Sequence, residues 1–170
     1  MKKRMLNLLD KVPFRTLLWL FPVVVTIHNI EEAVWMPAWA QSAMPMPVRI
    51  EDKAFWFGLA VATLLVYAIT YYGSKSRNES GSAYLLTGVI AIVFLNVFFP
   101  HVLATILLRE YAPGVVTGVL LTFPVTLYLL YRARRERFID PGKLKRATAF
   151  AAVAAVAVIA LSFYVGSMVL

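Results

Sequence analysis

The chain has 170 residues, 61% of them hydrophobic and 15% charged, with a formal net charge of +8 and a mean hydropathy of +0.73. This balance is too apolar for a water-soluble domain of such length and describes a helical membrane protein instead. The absence of cysteine excludes disulfides, thiolate metal sites and redox dithiols, so any metal would be held by nitrogen and oxygen donors.

Long uninterrupted apolar runs also exclude a transmembrane β-barrel, whose strands alternate. The expected fold is an all-α polytopic bundle forming a single membrane domain over residues 1–170. Five spans are predicted, at about 16–36, 54–72, 83–108, 114–131 and 147–168, each long enough to cross a bilayer. Their breaks fall at Pro37, Pro45 and Pro47, at Gly73-Ser74-Lys75-Ser76, at Pro113-Gly114 and at Pro141-Gly142. With the N-terminus inside, fourteen of the 17 Lys and Arg residues lie in cytoplasmic segments, and the outer face keeps Arg49, Lys53 and Arg109. The positive-inside rule therefore predicts an inside N-terminus and an outside C-terminus. It also accounts for the net charge without nucleic acid. The expected location is a bacterial or archaeal plasma membrane.

Lys2-Lys3-Arg4, the apolar stretch after it and Ala38-Trp39-Ala40 mimic a cleaved signal peptide. The apolar region is too long for one, however, and carries two acids near its end. Trp35, Trp39, Trp56 and the Tyr71/Tyr72 pair match interfacial anchors. The fifth span, with its Ala/Val run over 147–160, reads as packing material, because small residues let helices approach closely in lipid.

The first span holds His28-Asn29-Ile30-Glu31-Glu32. An ionisable side chain at bilayer depth costs about 2.5–3.5 kcal/mol on insertion scales, and such residues usually mark function. On an ideal helix His28, Glu31 and Glu32 share an arc of about 100°. Two neighbouring carboxylates in low dielectric require a cation, whether a protonated His28, a shared proton or a divalent metal.

The third span supplies a complement in Asn96-Val97-Phe98-Phe99-Pro100-His101, followed by Thr105. Counted from the cytoplasmic ends, Glu32 and His101 both lie at about 24–27 Å. Asn96 and His101 diverge by about 140° on a straight helix. Pro100 cannot donate to the Asn96 carbonyl, so a kink or π-like turn is expected to bring them closer to one face. Tyr111 is either an ordinary belt aromatic or a cover over the site. Thr117, opening the fourth span, is retained as a supporting residue. The expected metal ligands are His28, Glu31, Glu32 and His101, the glutamates being also the expected catalytic groups. Asn96, Thr105, Tyr111 and Thr117 are expected to surround them.

These residues resemble the HXXEE-domain family of small integral membrane proteins, named for the motif matched here by His28, Glu31 and Glu32. Asn96…His101 and Tyr111-x-Pro113-Gly114-x-x-Thr117 also look like that family's pattern, so the resemblance covers about 17–131. It implies an integral membrane protein of uncharacterised activity.

Three functions use such residues. The first is a membrane-embedded metal-dependent enzyme, with zinc or iron on about three or four N/O ligands, acting hydrolytically or oxidatively on a lipid or other hydrophobic small molecule. The second is a metal-free acid–base isomerase, by analogy of residue types with membrane sterol isomerases of the emopamil-binding type. The third is a proton- or cation-coupled transporter or resistance protein, a role that a homo-oligomer such as a dimer could serve. Nothing points to a nucleotide, flavin or haem.

Overall fold

The structure, a computed structural model, describes residues 10–43 and 52–169. Lys2-Lys3-Arg4, Pro45, Pro47 and Arg49 lie outside them. Among the described residues five helical stretches are long and apolar enough to cross a membrane: Phe14–Ser42, Asp52–Lys75, Gly81–Leu108, Val115–Arg135 and Pro141–Gly166. The described residues form an all-helical bundle, that of a multi-pass membrane protein.

The first span does not end at Pro37. Its helix, Leu20–Ala43, runs through that proline. Proline removes the N–H that would bond the carbonyl four residues earlier, here that of Ala33. The Trp56 indole N–H of the second span donates to the Ala33 carbonyl oxygen at 2.9 Å. Trp56 is thus a structural donor that repairs the backbone, beyond the anchoring role its position alone indicates.

The third span is broken where Pro100 predicts. Regular α-helix covers Gly81–Asn96, a widened turn follows over Val97–Val102, and α-helix resumes over Leu103–Leu108. Phe99 has extended backbone angles (φ −130°, ψ 111°), and the Phe99–Pro100 peptide is cis. The chain leaves this span through Arg109 in the left-handed region and enters the fourth through Gly114, whose φ is +88°.

One end of the bundle, where the described chain begins, is filled by apolar side chains. Phe14, Leu17, Leu18 and Phe21 of the first span meet Leu86 and Ile90 of the third and Leu129 of the fourth. Arg15 fastens the same end, donating to the carbonyls of Ser74 at 2.6 Å and Ser76 at 2.7 Å. The fifth span packs against the second and third. A methyl group on Gly88 would lie 2.7 Å from the Ala147 carbonyl oxygen, so glycine permits this approach. The first, third and fourth spans also meet at the opposite end, where His28, Glu32 and His101 come together.

Candidate metal centre

His28 and Glu32 lie one helical turn apart on the first span, with His28 Nε2 at 3.8 Å from Glu32 Oε1. From the third span, His101 brings its Nε2 to 3.2 Å from the same oxygen. The two rings meet edge to face with centroids 4.8 Å apart. Both histidines are buried, at 4% and 2% exposure, and the Glu32 side chain is 14% exposed. One ligand atom from each of the three residues falls within a 4.8 Å span.

The remaining nitrogens decide what this cluster presents. His101 Nδ1 lies 2.7 Å from the Pro113 carbonyl oxygen. A carbonyl can only accept, so Nδ1 carries the proton and the Nε2 of the neutral ring is a bare lone pair. His28 Nδ1 lies 3.0 Å from the Thr117 hydroxyl. A threonine hydroxyl can donate or accept; with the proton on Nδ1 it accepts, and the Nε2 of His28 is then a lone pair, on a buried nitrogen without a hydrogen-bond partner among the described residues. Two imidazole lone pairs and a carboxylate oxygen therefore converge on one buried point. Tying the far imidazole nitrogen to an oxygen is also how metal-binding histidines are usually oriented.

Glu31 turns elsewhere. Its Oε1 accepts from Gly114 N at 3.0 Å and Val116 N at 3.4 Å, and its Oε2 from Thr117 N at 2.8 Å. Tyr111 donates its phenol hydrogen to Oε1 as well. The fourth span begins at a glycine with no side chain to cap its free amides, so a carboxylate from the first span does so. Burial, followed by the adjacent Glu31 carboxylate, pushes the Tyr111 phenol well above its ordinary pKa, which keeps it a donor. Of the two motif acids, Glu32 faces the imidazoles and Glu31 holds the fourth span.

The other expected residues divide likewise. Asn96 reaches the cluster, its Nδ2 at 3.0 Å from His101 Nε2. The break at Phe99 makes this possible, because an unbroken helix would point the two side chains apart. Thr117 supports His28 directly. Thr105 donates instead to the His101 carbonyl oxygen at 2.9 Å, within its own helix, and touches no ligand atom. Tyr111 reaches Glu31 rather than the ligands.

Three participants were not singled out by residue type. The Pro113 carbonyl fixes the His101 tautomer, but backbone acceptors carry no sequence signature. Gly114 was legible as a break, not as a wall of the site. A methyl group on it would lie 2.6 Å from His101 Cε1 and 2.8 Å from His28 Cε1. Asn29, inside the motif, donates to Thr63 of the second span at 2.8 Å and aligns the two helices.

The family model described as "Protein of unknown function with HXXEE motif" matches residues 19–129, a stretch that contains every residue of this centre. The chain is 33% identical over 150 residues to the "Uncharacterized protein YrkK" of Bacillus subtilis (strain 168), with 88% of the chain and 94% of the relative covered. No solved structure matches it. By this family-model match the chain belongs to the HXXEE family.

Proposed function

We propose that the protein is a membrane-embedded metal-dependent enzyme whose centre is His28, Glu32 and His101, acting on a lipid or another hydrophobic molecule in a bacterial plasma membrane. The observation that carries this reading is the convergence of two imidazole Nε2 atoms and one carboxylate oxygen, with both Nδ1 atoms engaged on the far side by Thr117 and Pro113. Three acceptors facing one another in a buried site repel unless a cation lies between them. Two imidazoles and a carboxylate are a donor set suited to zinc or iron(II) with positions left for other ligands. A bound ion there supplies Lewis acidity for hydrolysis or, as iron, access to oxidation.

The chain's own residues do the rest. Thr117 and Pro113 hold the two rings in the tautomer that frees Nε2. Glu31 and Tyr111 hold the start of the fourth span, and through it both of those acceptors. The site lies within membrane-spanning segments, and apolar Leu95, Phe98, Phe99 and Trp35 around it are exposed on the bundle surface. That setting supports a substrate arriving from lipid. The apolar cluster filling the opposite end of the bundle favours chemistry at this site over passage across it.

Metal analysis of the full chain purified in detergent tests the proposal. The wild type, loaded with zinc or iron(II), should retain about one equivalent after desalting. His28→Ala, His101→Ala and Glu32→Gln should each lose it. A wild type that retains neither metal overturns the reading. The 3.2 Å contact between His101 and Glu32 then favours the second one, a shared proton serving acid–base chemistry at the same pair.

A further inference from the structure

Asn96 is held at the centre although it is not one of the converging ligands. Its amide nitrogen lies 3.0 Å from His101 Nε2. Because Pro113 takes the proton-bearing Nδ1 of that ring, Nε2 offers a lone pair, and the nitrogen of the amide rather than its oxygen must face it. An imidazole nitrogen has one in-plane lone pair. Asn96 and a metal ion therefore compete for the same electron pair and cannot both hold it.

With His101 Nε2 given to an ion, the Asn96 N–H would be left without its acceptor, in a half-buried position where an unsatisfied donor is costly. Glu32 Oε1, 3.8 Å and 3.2 Å from the two imidazole nitrogens, would be a ligand of the same ion. The acceptor that suits the freed N–H is an oxygen on whatever occupies the ion's open position. We propose that Asn96 is the oxyanion-binding residue of this centre. It hands its hydrogen bond from His101 to an oxygen of the metal-bound ligand, and the substrates are compounds that present an acyl or carboxyl oxygen to the ion. This inference rests on the metal reading above and narrows it from hydrolysis or oxidation to chemistry at a carbonyl-type carbon. An N–H donor placed where negative charge develops on such an oxygen stabilises the addition step.

The test uses the purified full chain, Co²⁺ as a spectroscopic probe and acetohydroxamate as the oxygen ligand. In the wild type, Co²⁺ should bind and acetohydroxamate should shift its visible absorption. In Asn96→Leu, which keeps the volume and removes the donor, acetohydroxamate should bind about tenfold more weakly or worse, the usual effect of losing a hydrogen bond to a charged oxygen. Co²⁺ affinity should be equal or higher, because a competitor for Nε2 is gone. Asn96→Asp, nearly isosteric and without an N–H, should show the same loss of acetohydroxamate binding with tighter Co²⁺, and it serves where the leucine variant does not fold. Unchanged acetohydroxamate affinity in the variants overturns the proposal. So does weaker Co²⁺ binding by Asn96→Leu, which would mean that the freed amide turns to Glu32 and supports a ligand. A wild type that binds no Co²⁺ removes the metal reading itself, and this inference with it, and so is distinguishable from failure of the Asn96 assignment alone.

Discussion

Gly114 is where backbone and site constrain each other most. Its positive φ is one that residues with a Cβ rarely adopt, and the space a Cβ would fill belongs to both imidazoles. Gly114→Ala is expected to cost more than about 2 kcal/mol from backbone strain and overpacking together. It should also abolish metal retention by pushing the rings off their acceptors, read from thermal unfolding in detergent and metal analysis side by side. If retention survives at wild-type level, the rings are not packed on Gly114 as described. At this scale the sequence was most informative where residue type and chemistry coincide. His28, Glu32 and His101 stand out as costly groups in an apolar run. Which of the two adjacent acids faces the histidine was not legible, because on a helix both neighbour His28. The answer depends on where the third and fourth spans pass, which is tertiary information.

At the scale of single helices, two irregularities are each mended by a neighbour. The gap that Pro37 leaves at the Ala33 carbonyl is filled by Trp56. Trp56→Phe keeps the aromatic bulk and deletes the donor, so it should lower stability by about 1 kcal/mol without changing metal content. The uncapped start of the fourth span is closed by Glu31. Glu31→Gln should weaken the bundle by about 1–2 kcal/mol through loss of the charge at the helix terminus. It should still retain metal, whereas Glu32→Gln should lose it. Matching behaviour of the two glutamine variants in metal analysis would contradict the division of labour between the acids. The spans themselves were legible to within a few residues from hydropathy and loop composition. The exceptions are the end of the first, where Pro37 reads locally as a stop, and the start of the fifth, where Pro141-Gly142 reads as a break but opens the helical stretch. A proline can be carried through a helix when a donor elsewhere takes the freed carbonyl, and no local pattern announces that Trp56 does so.

For the molecule as a whole, the direction of insertion was read from loop charge and is open to direct measurement. The chain contains no cysteine, so single-cysteine variants report on one position each. Glu110→Cys, between the third and fourth spans, should react with a membrane-impermeant maleimide in intact cells. Arg77→Cys, between the second and third, should react only after permeabilisation. The reverse pattern would invert the predicted topology and place the His28–Glu32–His101 cluster nearer the cytoplasm. Bundle architecture was the most legible level of all, because the hydrocarbon core dictates helix length and composition independently of packing detail. The meeting of the first, third and fourth spans was legible only in part. Counting residues matched the depths of Glu32 and His101, but the role of the fourth span rests on Pro113 and on backbone amides.

That role orders events during synthesis. His28 and His101 leave the ribosome before the groups that orient them, Pro113 and Thr117. Until the fourth helix is inserted, neither ring has the partner of its Nδ1. Loading of the proposed ion would therefore be a late step of biogenesis, following insertion of that helix.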